Sequence, residues 1–279
     1  MQRDEFDYSC MSTYQTCQRK YLFRHVLGYD PKKQAMAPSF GTGIHKALDS
    51  WFKDKDVEKA VKAFKDSFVE DLEIDDKRTH KMGEWIVGNY HERYKDQTWE
   101  LVHSEFAFTV DLPNGKKLIG RIDKIIKWDG CLWVVDHKTT SSLGPQYFKM
   151  SEPSLQFPGY AWAARKMGYD VKGVVVDALL VAKGLLDSSS RGRLTPLARY
   201  DVDVTEYALQ QWLQTAMDIQ EDITISQKSE RWVPNFDACT YYGECPYRRV
   251  CLEKKEFWPR LLQSEFTVNF WDPRKETEE

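Results

Sequence analysis

Asp129-Gly130 stands between two apolar, β-branched runs, Gly120 to Trp128 and Cys131 to Lys138. A two-residue Asp-Gly turn takes positive φ at both central positions and matches the right-handed twist of the strands it joins. It predicts a hairpin in which Trp128 pairs with Cys131, and that register, carried outward, sets Asp123 opposite Asp136. Side chains alternate along a strand, so Asp136 and Lys138 share one face and Asp123 points the same way. Directly opposed residues hold their Cβ atoms about 4.5–5.5 Å apart, where like charges are destabilising unless compensated. Ile125, Leu132 and Val134 share that face, which is therefore half buried, and burying unpaired carboxylates is costly. Two solvated aspartates on an exposed strand would leave those apolar neighbours unexplained. A divalent cation is the natural compensation, since hard cations take carboxylate oxygens. Lys138 then stands one step beyond, placed to hold or polarise a water. The pattern predicts a hydrolytic metal site.

With 279 residues the chain can bury a sizeable core as one or two domains. Its net charge is −3, so no global excess of basic residues announces a nucleic-acid partner. Locally the balance differs. Arg19, Lys20 and Arg24 crowd an N-terminal segment, and Arg248, Arg249, Lys254 and Lys255 lie near the C-terminus. Such patches can neutralise phosphates, although a basic stretch is also what an ordinary solvated face looks like. No run of about 18 apolar residues is present, so no transmembrane helix is expected. Met1-Gln2-Arg3-Asp4-Glu5 lacks an apolar signal core, and a cytoplasmic protein is the expectation.

Six cysteines in so long a chain do not make a disulfide scaffold. Cys239, Cys245 and Cys251 recur at even spacing in one segment, while Cys10, Cys17 and Cys131 lie far from it. Three clustered thiols in a reducing compartment point to a metal or iron–sulfur site short of one ligand, and spacing alone does not choose between zinc and a cluster. Cys131, at the hairpin turn, reads as inert.

Around these features the chain divides by texture. Ser12 to Val26 reads as a helix with Gly28 near its stop. Gly41-Thr42-Gly43 leads into an amphipathic stretch, Ile44 to Phe52, that carries His45. Residues 53–96 are charge-rich, with helical periodicity at Val57, Val61, Phe64 and Phe68, and predict two or three helices. From Leu101 the texture turns to strand: Glu105 to Leu112, a turn at Pro113-Asn114-Gly115, then the hairpin. Residues 153–168 read as a helix with Pro153 in its first turn. Val171 to Val181 reads as an interior strand, Asp187 to Arg193 as turns before a strand ending near Val204, and Thr205 to Gln227 as a long helix.

Taken with its flanks, the hairpin resembles the RecB-like branch of the PD-(D/E)XK nuclease superfamily, and the resemblance spans most of the chain. Gly120-Arg121-Ile122-Asp123 matches the family's Gly-x-x-Asp element, and Asp136-His137-Lys138 its Asp/Glu-x-Lys element. His45, in Phe40-Gly41-Thr42-Gly43-Ile44-His45, matches the upstream histidine that RecB-like members use as an additional metal ligand. Gln156 and Tyr160, in Leu155-Gln156-Phe157-Pro158-Gly159-Tyr160, match a Gln-x-x-x-Tyr element that positions substrate near the lysine. Each motif alone is weak; together, in the family's order, they are specific.

Iron–sulfur members of that branch, CRISPR-associated exonucleases among them, carry one cysteine before the nuclease core and three after it. Cys17, in Thr16-Cys17-Gln18-Arg19-Lys20-Tyr21, is similar to the family's Cys-Pro-x-x-Tyr start, with Gln18 in place of the proline. Cys239, Cys245 and Cys251 would supply the other ligands. The gap between Cys239 and Cys245 is longer than the common spacing, and Cys10 is the alternative fourth ligand.

The resemblance implies an α/β fold, a restriction-endonuclease-like mixed sheet flanked by the His45 and Gln156 helices, within a single nuclease domain over 1–279. A helical insertion would occupy 53–100, and a [4Fe–4S] cluster would staple residues 10–30 to residues 228–260 as a subdomain. It implies hydrolysis of DNA phosphodiesters with Mg²⁺ or Mn²⁺ held by His45, Asp123, Asp136 and the carbonyl of His137. Lys138 would orient the water, and Gln156 and Tyr160 would complete the catalytic set. Exonuclease action on single-stranded or end-bearing DNA is the implied activity; an endonuclease or flap nuclease, or a decayed DNA-binding module, are the alternatives. Arg19, Lys20, Arg248 and Arg249 would form a wall of the DNA channel, and recombination, phage or CRISPR-adaptation proteins would be the partners. Glu105, starting a strand ahead of the hairpin, is a weaker candidate to approach the metal. Tryptophans such as Trp51, Trp85, Trp162 and Trp212 read as core rather than as base-stacking platforms.

Overall fold

A computed structural model of the chain describes residues 4–32, 36–71, 75–151, 154–186, 196–241 and 243–275. Pro153 and the turn-rich segment from Asp187 to Arg193 lie outside the described residues. The chain opens with strand β1 (Glu5–Phe6), helices α1 (Tyr8–Thr16) and α2 (Gln18–Tyr21), a π turn (Leu22–Val26) and strand β2 (Tyr29–Pro31). Helices α3 (Met36–Asp54), α4 (Val57–Ser67) and α5 (His80–Tyr94) precede strands β3 (Glu100–Asp111), β4 (Lys117–Trp128) and β5 (Cys131–Thr140). Helices α6 (Pro145–Ser151) and α7 (Gln156–Lys166) lead to β6 (Val171–Leu180) and β7 (Leu197–Asp203). The last elements are α8 (Glu206–Ser229), α9 (Arg248–Leu252), α10 (Trp258–Glu265) and β8 (Phe266–Val268). The chain forms two compact units, one of residues 35–106 and 122–206, the other of residues 1–34, 107–121 and 207–279.

The Asp-Gly turn takes the conformation its chemistry requires, with φ of 49° at Asp129 and 75° at Gly130. It joins β4 to β5 antiparallel, and the paired register runs from Trp128 with Cys131 to Lys124 with Val135. The strand order is β1-β4-β5-β6-β7, with β3 also paired to β4. β5 and β6 run parallel while β6 and β7 run antiparallel, so the sheet is mixed. A parallel pair needs a long crossover, and α6 with α7 provides it. β6 lies inside the sheet and is buried along nearly its whole length, which is why it reads as a continuous apolar run.

Helix α3 positions His45 through the residues beside it. Phe40, Ile44, Leu48 and Trp51 recur at helical spacing and are fully buried with Phe64, Ile86 and Val135. Each such side chain contributes about 1.5–3 kcal/mol on burial, so the roll of α3 is well determined. Gly41-Thr42-Gly43 does not precede this helix as the sequence suggests; α3 already runs from Met36. Packing explains the difference, since a Cβ at Gly43 would lie 3.1 Å from Phe64 and from Phe68. Tertiary contact here overrides the weak helix propensity of glycine.

The helix expected from Ser12 to Val26 is also interrupted. Cys17 is extended, with φ −164° and ψ 112°, and separates α1 from α2. Residues 233–235 fill the break: Val233 N–H donates to Gln18 Oε1 at 3.0 Å, and the Asn235 side-chain amide donates to the Thr16 carbonyl at 3.0 Å. In the same unit β2 pairs antiparallel with β8 beside a small core of Phe23, Tyr247, Val250, Leu262 and Phe266. Among the described residues no helix is long and apolar enough to cross a membrane.

Candidate metal centre and cysteine pocket

Regular pairing of β4 with β5 stops at Lys124 and Val135, one step short of Asp123 and Asp136. Beyond it the His137 backbone N–H donates to Asp123 Oδ2 at 2.8 Å instead of to a strand carbonyl. Helix α3 brings His45 Nδ1 to 3.3 Å from the same oxygen. Asp136 is almost fully buried, and Lys138 Nζ lies 2.9 Å from its Oδ1 and 2.7 Å from its Oδ2. From α7, Gln156 Nε2 donates to Asp136 Oδ1 at 3.2 Å and to the Tyr160 hydroxyl, one helical turn on, at 3.1 Å. The structure thus gathers His45, Asp123, Asp136, His137, Lys138, Gln156 and Tyr160 in one unit.

Burial sets the electrostatics, and the neighbours decide its outcome. Desolvation raises the Asp123 carboxyl, yet His45 and the bonds from His137 outweigh it and hold the group well below its usual range. Desolvation disfavours the His45 imidazolium, but the Asp123 carboxylate holds its pKa above the ordinary histidine value. The Asp123 carboxylate thus favours the charged form of His45, and a cation bound by these two groups would compete with that proton. Asp136 is pushed up to about 6 by burial, only partly relieved by Lys138. Lys138 is held above the normal lysine value by Asp136, against its own desolvation. Burial drops His137 to about 4, so its imidazole is neutral near pH 7.

Glu105 joins this site more closely than the sequence suggested. One ligand atom from each of His45, Glu105 and Asp123 lies within 4.8 Å of the others. Glu105 has φ 48°, in the left-handed region, inside β3; a non-glycine residue held in such a conformation costs about 1–3 kcal/mol. Burial along the strand changes parity around Glu105, with Leu101 and His103 inward on odd positions and Phe108 and Val110 inward on even ones. That shift marks an irregular strand that turns the carboxylate inward, and Val102 on an even position hides it in the sequence.

A second group behind the site was missed. Asp177 is fully buried, accepts from the Tyr90 hydroxyl at 2.7 Å and pairs with Arg199 at 3.0 Å. His137 Nε2 lies 3.7 Å from Asp177, so its ring sits between Asp177 and Asp123. Arg199 stacks 3.4 Å over Tyr94 and 3.9 Å over Trp99. A lone aspartate in the apolar run of β6 signals a buried partner, but nothing local identifies Arg199 on β7.

The four candidate cluster cysteines are in the other unit. Cys17, Cys239, Cys245 and Cys251 line one pocket together with Lys20 and Tyr247. Asn235 N–H points at Cys17 Sγ from 3.3 Å, and Cys245 N–H donates to the Cys239 carbonyl at 2.9 Å. Burial raises the Cys245 thiol and pushes Cys251 up to about 11, opposed by the charges of Lys20 and Arg19 respectively. Cys10 is elsewhere, buried with its thiol on the Asp7 carbonyl at 3.2 Å, and Cys131 is exposed. The basic candidates divide. Arg248 pairs with Glu244 at 2.7 Å and Arg249 with Glu265 at 2.6 Å, whereas Arg19 stacks 5.4 Å over Trp258 and Lys20 lines the cysteine pocket.

A mixed sheet flanked by helices, with acidic residues and a lysine where two central strands part, defines the restriction-endonuclease-like class of nucleic-acid hydrolases. A model of the PD-(D/E)XK nuclease superfamily matches residues 6–252. The chain belongs to that superfamily. Its fold is similar to the crystal structure of a candidate exonuclease from Eubacterium rectale, at 16% identity and TM-score 0.53 over 90% of both chains. It also matches SSO0001 at 12% identity and TM-score 0.38 over 90% of this chain and 87% of that one. LHK-Exo in complex with dAMP matches at 8% identity and TM-score 0.29, over 69% of this chain and 97% of that one. No curated protein matches the chain.

Proposed function

We propose that the protein is a divalent-metal-dependent deoxyribonuclease acting on single-stranded DNA or duplex ends. The convergence of His45, Glu105 and Asp123 within 4.8 Å, beside a buried Asp136 paired with Lys138, carries the reading. The donor set fits the metal: carboxylate oxygens suit Mg²⁺ or Mn²⁺, and the imidazole favours Mn²⁺. His45, Glu105, Asp123, Asp136 and the His137 carbonyl would hold it. When bound, it lowers the pKa of water and offsets charge at the phosphate. Lys138 stays protonated beside Asp136, so it acts as a donor that orients the water and steadies negative charge, not as a base. Gln156 holds Asp136 from the α7 side, and its second bond, to the Tyr160 hydroxyl, steadies the amide. Arg19 and Lys20, less engaged with carboxylates than Arg248 and Arg249, are the stronger candidates for phosphate contact.

The test is degradation of end-labelled linear single strands, blunt duplex and circular single strands with Mn²⁺, Mg²⁺ or EDTA. Metal-dependent loss of linear DNA alone is the expected result. Cutting of circles shifts the reading to an endonuclease, and no turnover with either metal overturns it. Glu105→Gln should raise the Mn²⁺ concentration for half-maximal rate by about 10–100-fold, the range typical for a lost metal-supporting group. An unchanged metal requirement removes Glu105 from the ligand set.

We also infer that Cys17, Cys239, Cys245 and Cys251 hold a [4Fe–4S] cluster with a structural role. Their shared pocket and soft thiol donors support this. Burial raises the Cys245 and Cys251 thiols, which favours their protonated form as free groups, and cluster binding would drive those protons off. Such a site would clamp the segment before the nuclease core to the segment after it.

A further inference from the structure

We propose that a groove between Trp232 and Trp258 is a subsite for single-stranded DNA, where unpaired bases stack on the two indoles; it rests on the nuclease reading above. The groove has a volume of about 400 Å³ and lies in the same unit as the cysteine pocket. Both tryptophans are half-buried, and each is braced from within. The Trp232 ring stacks on buried Tyr21 at 5.7 Å, and Trp258 meets buried Phe23 edge-on at 5.1 Å. A braced, half-exposed indole at a groove is a ready stacking surface, because every base has a π-face.

The charge around it fits the strand's backbone. The Arg19 guanidinium lies 5.4 Å and the Lys255 ammonium 5.9 Å from the centre of the Trp258 ring. Among the described residues neither is paired with a carboxylate, unlike Arg248 and Arg249, so their charge is available to phosphates. Leu22 and Val26 supply the apolar floor. Glu230, which also lines the groove, adds a carboxylate acceptor suited to the N–H groups of a base. Pockets of about 300–1,000 Å³ hold small ligands, so this groove is of a size to admit splayed nucleotides. Recognition of unstacked bases by indole and guanidinium planes is the usual chemistry of single-strand binding.

The experiment is fluorescence anisotropy of fluorescein-labelled oligo(dT) with the full chain in EDTA, so that nothing is cleaved. Trp258→Leu should weaken binding by about tenfold, while Trp258→Phe, which keeps a stacking face, stays near wild type. Lys255 is exposed, so Lys255→Glu leaves packing intact; it should weaken binding and make the dependence of log K on log salt shallower by about 0.7 or more. A blunt duplex should respond little to Trp258→Leu. Unchanged oligo(dT) binding by both Trp258→Leu and Lys255→Glu overturns the subsite, as does equal competition by polyphosphate, which carries charge without bases. Wild-type hydrolysis of bis(p-nitrophenyl) phosphate with Mn²⁺ is read in parallel. A protein that turns over this base-free diester yet binds no oligo(dT) loses the groove and keeps the nuclease reading; one that binds oligo(dT) but hydrolyses neither substrate does the reverse.

Discussion

Lys138→Ala is expected to lower metal-dependent DNA hydrolysis by about 10²–10³-fold, the usual effect of removing one preorganised group that steadies developing charge. Nζ sits 2.7 Å and 2.9 Å from the two Asp136 oxygens, and that carboxylate is almost fully buried. The substitution therefore removes two things. It takes away the donor that would orient water, and it leaves only Gln156 and the charge of His45 to offset an Asp136 carboxyl already pushed up to about 6. Burial without a counter-charge raises it further and favours the neutral acid, a poorer metal ligand. Lys138→Arg should rescue little, because a planar guanidinium does not reproduce a compact ammonium at this spacing. Single-turnover rates on end-labelled strands at saturating Mn²⁺ measure the effect, with thermal melting to show that the variant folds. A rate within a few-fold of wild type would remove Lys138 from the reaction.

What could be read in advance follows from the range of the forces involved. The hairpin was legible because an Asp-Gly turn determines φ locally and a strand's period of two then propagates the register to Asp123 and Asp136. His45, Gln156 and Tyr160 were legible by motif order, which is not a physical signal, and α3 and α7 bring them to the carboxylates through ordinary apolar packing. The interruption at Cys17 was not legible, because the residues that fill it, Val233 and Asn235, come from the far end of the chain. The Asp177–Arg199 pair joins two strands through sheet register, and only the oddity of an aspartate in an apolar run pointed to it. Arg19, Lys20, Arg248 and Arg249 look alike in sequence; carboxylate neighbours divide them, and Glu265 reaches Arg249 from another helix. Trp232 and Trp258 had no distinguishing mark, because their meaning depends on which ring stands behind each.

Cys17→Ser should have the largest effect on stability. The protein purified without oxygen is expected to carry about four iron per chain and the broad visible absorbance of a thiolate-bound cluster. More than two hundred residues separate Cys17 from Cys239, and a cross-link closing a loop of that order removes about 5 kcal/mol of chain entropy from the unfolded state. At about 2–4 °C per kcal/mol, losing the clamp should lower Tm by about 10 °C or more and abolish the absorbance. Cys10→Ser is the control. Its thiol is buried on the Asp7 carbonyl and outside the pocket, so the colour and iron content should survive. The opposite outcome, colour lost with Cys10 and kept without Cys17, would exchange the fourth ligand. A colourless protein with about one zinc per chain would instead make the pocket a mononuclear thiolate site. Either metal clamps the same two segments, so the drop in Tm reports the clamp while the absorbance reports what forms it.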